Sequence, residues 1–138
     1  MGRKRRNDLA LLFQSLGDPT RLRLLNLLKA QEICVCYLVE TLGLPQPKIS
    51  RHLAYLRRAG IVAARRQGKW MHYRMVFPAH SGAAGILRQT LTALNQDAAM
   101  QGDRTRLAQA CCAAGRNPAL EKAPRPLPLG TGMRAGFQ

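Results

Sequence analysis

Between Thr41 and Gln96 the chain contains no aspartate and no glutamate. The same stretch holds Lys48, Arg51, Arg57, Arg58, Arg65, Arg66, Lys69, Arg74 and Arg88. In all, 7 acidic residues face 22 Lys and Arg, a formal charge of +15. A folded segment with that imbalance presents a positive field to a polyanion, and nucleic acid is the commonest such partner. Scarce acids leave no paired carboxylates for acid-base chemistry. No nucleophile with a base and an orienting group is present, and no glycine loop of the phosphate-cradling kind, so the chain is not expected to be an enzyme.

Long apolar runs are also missing. No stretch approaches a membrane span, and the basic leader Gly2-Arg3-Lys4-Arg5-Arg6 is not followed by an apolar signal core, so a cytoplasmic protein without membrane contact is expected. In a reducing compartment four cysteines do not make a disulfide framework, which leaves ligand, redox or buried-thiol roles. Their pairing as Cys34/Cys36 and Cys111/Cys112 favours ligation.

With 138 residues, 46% of them hydrophobic, there is material for one compact domain plus tails. Leu9, Leu11, Leu12, Phe13 and Leu16 recur at helical spacing from Asn7, and Gly17 ends that helix. Asp18-Pro19-Thr20 offers an N-cap with proline in the first turn, opening a leucine-rich second helix. A short helix from Cys34 to Leu42 stops at Gly43. A basic helix follows the turn Leu44-Pro45-Gln46-Pro47, with Ile49, Leu53 and Leu56 on one face. That is the helix-turn-helix plan. Two β-prone runs around Gln67-Gly68-Lys69 read as a hairpin wing, with Trp70 and Tyr73 packing it onto the core. Ser81 can cap a long last helix, interrupted at Gly102 and reaching Ala114, whose stripe Ile86, Leu87, Leu91, Leu94 suits a second subunit. The expected fold is mainly α with a small β-hairpin, a winged helix-turn-helix dimeric through its first and last helices. Residues 1–6 are expected to be a flexible basic arm, 7–114 the DNA-binding and dimerisation domain, and 115–138 a disordered Pro/Gly-rich tail.

This element order, with Asp18-Pro19-Thr20-Arg21, Ile33-Cys34-Val35-Cys36, Gln46-Pro47-Lys48-Ile49-Ser50-Arg51-His52-Leu53 and Arg66-Gln67-Gly68-Lys69-Trp70, closely resembles the ArsR/SmtB family over roughly residues 7 to 100. Within it the match is to arsenic-resistance repressors. The resemblance implies a homodimer that binds a two-fold double-stranded DNA operator and leaves it when an inducer binds. By that likeness Gln46, Lys48, Ser50, Arg51 and His52 enter the major groove, where Gln can pair with adenine and Arg or Lys with guanine. Arg65, Arg66 and Lys69 would lie along phosphates and hold register. Pro45 stands where relatives usually have a capping serine.

Trivalent arsenic and antimony are thiophilic, and three thiolates make their preferred pyramidal site; other thiophilic ions share that preference. Residues i and i+2 of a helix face opposite ways, so Cys34 and Cys36 can chelate one centre only if the helix begins there or its first turn is distorted. The helix N-terminus is expected to lower their thiol pKa. Relatives often carry a third cysteine at the position of Val39. Here Cys111 or Cys112 could supply that ligand from either subunit, or form a separate site. Two thiols also suffice for a methylated trivalent arsenical. A structural zinc is not expected, because the last helix offers no His and only Asp97 and Asp103, and the N-terminal arm has no Cys. His72 and His80 read as surface residues. Two other functions fit the same residues: a thiol-redox repressor of this fold, and a basic nucleic-acid-binding protein without regulatory role.

Overall fold

The computed structural model describes residues 2–112 and 118–129, except for the side chains of Cys112 and Ala119. Helices α1 (Arg3–Leu16) and α2 (Pro19–Leu28) are followed by strand β1 (Gln31–Cys34), α3 (Val35–Leu42) and α4 (Gln46–Arg58). The hairpin β2 (Val62–Gln67) and β3 (Trp70–Met75) leads to α5 (Ser81–Asn95) and α6 (Ala98–Cys112). A 3-10 turn at Pro118–Leu120 and the short β4 (Leu127–Pro128) follow. The expected winged helix-turn-helix, mainly α with a small antiparallel hairpin, is present. Among the described residues no helix is long and apolar enough to cross a membrane.

Local chemistry explains most boundaries. The Asp18 side chain accepts hydrogen bonds from the Thr20 and Arg21 backbone N–H groups at 2.8 and 3.1 Å, and Pro19 occupies the first turn of α2. Gly43 ends α3 at φ 65°, a left-handed conformation that a residue with a Cβ adopts at a cost, and this bend turns the chain into α4. Leu24, Leu25 and Leu28 of α2, Leu38 of α3, and Ile49, Leu53 and Leu56 of α4 are fully buried together. Each such side chain contributes about 1.5–3 kcal/mol by leaving water.

Four boundaries differ from expectation. The basic arm is helical from Arg3, with the Arg6 N–H bonded to the Gly2 carbonyl at 3.2 Å. Arg and Lys are good helix formers, and no Pro or Gly falls between Arg3 and Leu16. Cys34 is not helical: it ends β1 and stands as the N-cap of α3 at φ −65°, ψ 141°. The last helix breaks at Gln96, not at Gly102, because Asp97 Oδ1 accepts from the Met100 N–H and starts α6. His80, not Ser81, caps α5 through a 3.3 Å bond from the Ala83 N–H to Nδ1.

The α6 segment folds back on its own chain, against α2 and α3. Arg23 grips the buried Asp103 carboxylate through Nε at 2.8 Å and Nη2 at 3.0 Å, and Asn26 donates to the Met100 carbonyl at 2.9 Å. This fork is the kind whose loss strands a charge out of water.

The expected disordered tail is in part ordered. Leu120, Ala123 and Leu129 are buried, and Leu127–Pro128 pairs antiparallel with Gln31–Glu32. The sheet therefore runs β2-β3-β1-β4. Proline is tolerated on such an edge, where its missing N–H is not needed. The remaining tail residues, and Ala113 and Ala114 at the end of the expected last helix, lie outside the described residues. Replacing Leu120 by alanine should lower stability by about 2–4 kcal/mol in urea unfolding, whereas a disordered tail would give no change.

Candidate nucleic-acid interface and thiol site

Helix α4 divides its residues by chemistry. Its apolar face docks on the core, while Gln46 and Arg51 are exposed and Lys48 and Ser50 are half-buried at its first two turns. Pro45 stands at the N-cap without a side-chain bond, and its carbonyl accepts from the Lys48 and Ile49 N–H groups at 3.1 Å. Of the five residues expected on the DNA side, His52 is differently engaged. Its Nδ1 lies 3.3 Å from Arg21 Nη1 and 3.8 Å from Asp18 Oδ1. Arg21 also donates to the carbonyls of Ser15 and Gln14, each at 2.8 Å, and stacks 4.2 Å over the Tyr55 ring. The Asp18-Pro19-Thr20-Arg21 motif thus seats α4 on α1 and α2 through His52 and Tyr55. Arg57 and Arg58 are exposed at the far end of the helix, and the Arg58 guanidinium lies 4.7 Å from the centre of the same Tyr55 ring.

On the wing, Arg66 and Lys69 are exposed, with Lys69 Nζ 5.0 Å from the Trp70 ring centre. Arg65 is also exposed, yet its Nε donates to Glu32 Oε1 at 3.1 Å. The other carboxylate oxygen of Glu32 is 3.7 Å from Arg74 Nη1. The hydrogen bond from Arg65 holds the Glu32 carboxyl below its usual range against the opposing effect of burial.

The thiol pair sits where strand becomes helix. Cys34 is fully buried at the end of β1, and Cys36 is half-buried in the first turn of α3. Because Cys34 has extended backbone, the geometric objection to a chelate from positions i and i+2 of one helix does not apply. The two side chains are hydrogen-bonding neighbours, and burial pushes the Cys34 thiol up to about 11. The expected lowering by the helix N-terminus is thus outweighed at Cys34 by loss of solvent.

Cys111 is half-buried on α6, against the same core. Among the described residues no three or more His, Cys, Asp or Glu side chains are grouped so as to hold a metal ion, so Cys34, Cys36 and Cys111 do not form a three-ligand cluster. The Cys112 side chain lies outside the described residues. His72, taken from sequence as a surface residue, is buried at 2% exposure. It pairs across the sheet with Cys34, and its Nε2 is 2.8 Å from Gln67 Oε1. Sequence offered no direct signal for this, because the pairing depends on β1, a strand too short to show alternation.

The arsR family model of bacterial regulatory proteins matches residues 18–64, which hold the thiol pair, α4 and the start of the wing. The chain is 45% identical over 86 residues to the arsenic resistance transcriptional regulator ArsR2 of Pseudomonas putida, covering 62% of this chain and 75% of that one. This protein belongs to the arsR family. A second member, the arsenical resistance operon repressor of Escherichia coli, is 54% identical over 65 residues, 46% of this chain and 56% of that protein. The chain thus spans little more than half the length of some curated relatives. Among solved structures, HlyU from Vibrio cholerae superposes with a TM-score of 0.58 at 25% identity, covering 69% of this chain and all of that one. NolR of Sinorhizobium fredii, at 24% identity and a TM-score of 0.53, shares the fold over 67% of this chain and 93% of that one. The family and its matched relatives are described as regulators and repressors, not as enzymes.

Two outcomes test this geometry. Iodoacetamide should modify Cys36 well before Cys34, and the Cys34 rate should climb about tenfold per pH unit above neutrality, since only the thiolate attacks. Site-resolved mass spectrometry reads both rates, and equal rates would contradict the burial of Cys34. Burial also pushes the His52 and His72 imidazoles below their ordinary pKa. The unfolded chain then takes up these protons first as pH falls through about 6.5, so stability should be full above that value and decline below it. Thermal melts across pH 5 to 8 should show this decline, and His72→Gln should make it shallower.

Proposed function

We propose that this chain is a transcriptional repressor that binds a two-fold DNA operator as a homodimer and releases it when trivalent arsenic or antimony binds Cys34 and Cys36. The observation that carries it is the placement of both thiols at the junction of β1 and α3, directly before the helix that packs on α4. The names of the relatives support a metalloid inducer, since two of them are arsenic-resistance regulators.

The chemistry suits a two-thiol site. Arsenite has three exchangeable oxygens. Each bond to a protein thiolate displaces one as water, the thiol proton going to the departing hydroxide. Two bonds, to Cys34 and Cys36, leave a third position for an exogenous thiol, or none to fill in a methylated trivalent arsenical. Cys111 and Cys112 act separately. Burying a soft centre beside Cys34 displaces the first turn of α3. That displacement passes through the packed α3–α4 contact to Gln46, Lys48, Ser50 and Arg51, the residues proposed to read base edges. Arg66 and Lys69 hold phosphates, and His52 seats the helix. The second subunit packs on α1 and α5, where Phe13 is left 54% exposed.

Arsenite should dissociate the protein from its operator in an anisotropy titration. Cys34→Ser with Cys36→Ser should keep operator affinity within about threefold, a change near 0.6 kcal/mol, and abolish the release. Cys111→Ser with Cys112→Ser should leave both intact. A doubly substituted Cys34/Cys36 protein that still leaves DNA with arsenite would overturn the proposed site.

A further inference from the structure

Strand β1 carries more than the thiol. In the register Ile33↔Tyr73 and Cys34↔His72, Glu32 and Cys34 share one face of the sheet with His72 and Arg74 of β3. Arg65 of β2 pairs with His72 and so lies on that face too. Cys34, His72 and Arg65 make one row across three strands, and Glu32 begins the next. From there Glu32 reaches diagonally to Arg65 of β2 and across to Arg74 of the adjacent β3. The carboxylate is largely buried, while Arg65 is 41% exposed. Glu32 thus ion-pairs with two wing arginines, Arg65 and Arg74.

We propose that Glu32 is a positioning residue that couples the Cys34/Cys36 pair to the DNA-binding wing by holding Arg65. The coupling rests on the repressor function above. In the metalloid-free protein, Glu32 engages Arg65 and fixes the wing, leaving Arg66 and Lys69 to meet phosphates. Cys34 is two residues along the same short strand. Drawing its sulfur toward a centre shared with Cys36 therefore shifts the strand that presents Glu32, and the wing follows. This path runs through the sheet and is separate from the α3–α4 contact.

The test measures operator affinity of the full chain with and without arsenite, together with its salt dependence. In Glu32→Gln, arsenite binding by Cys34 and Cys36 should persist at unchanged stoichiometry, while the arsenite-induced loss of operator affinity shrinks about fivefold or more. Arg65, no longer held, becomes available to a phosphate, so the slope of log affinity against log salt should steepen by about one. Asp8→Asn on α1 changes the net charge equally and should move neither quantity. Arg65→Gln, made on the exposed side of the pair, should reduce the arsenite response as much as Glu32→Gln. The double variant should reduce it no further, as two residues acting through one contact require. A wild-type arsenite response and salt slope in both single variants would overturn the proposal. If arsenite fails to release even the wild-type protein, the repressor function fails instead, and the salt slopes still decide whether Glu32 restrains Arg65.

Discussion

Strand β1 is four residues long and is hydrogen-bonded along both edges, to β3 of the wing on one side and to β4 of the C-terminal segment on the other. Almost every functional feature follows from that double pairing. It gives Cys34 extended backbone, so that α3 starts at Val35 and the two thiols become neighbours instead of opposites. It sets Cys34 across from His72, and Glu32 within reach of Arg65. A strand this short cannot move at one end without disturbing its other end, which makes it a natural mechanical link between thiols and wing.

The recognition helix has a second anchor, of polar character. Arg21 gathers the carbonyls of Gln14 and Ser15, the ring of Tyr55 and the imidazole of His52 around one guanidinium. A planar cation with five donors suits this better than a lysine would. The helix is thus located by apolar packing on its inner face and by this cluster at its side, which leaves Gln46 and Arg51 free toward solvent. On the other side of the molecule the Arg23–Asp103 fork does a comparable task for α6, closing that helix over α2 and α3.

Much of this was legible in the sequence because it is local. The cap at Asp18, the stop at Gly43, the 3.6-residue stripe of α4, the turn at Gly68 and the acid-free basic stretch each depend on a few neighbouring residues. The residues of the candidate site were therefore nameable from sequence as a set, while their surroundings were not. His72 and His52 were placed at the surface or in the groove because nothing near them in the chain shows what covers them. The tail was taken as disordered on its Pro and Gly content, although Leu120, Ala123 and Leu129 supply enough apolar surface to dock once β1 offers an open edge.

By itself, then, the order of residues determined the helices, the turn between α3 and α4, the positive charge of α4 and the wing, and the presence of a thiol pair just before the helix-turn-helix. Only the tertiary structure decided that Cys34 belongs to a strand, that its thiol is buried and hard to ionise, and that Cys34, Cys36 and Cys111 are not grouped as three metal ligands among the described residues. Only it decided that Arg65 is held by an acid 33 residues earlier in the chain. The division has one physical reason. Propensities and caps act over a turn or two of backbone, whereas desolvation and ion pairing depend on which distant segments come to lie against each other.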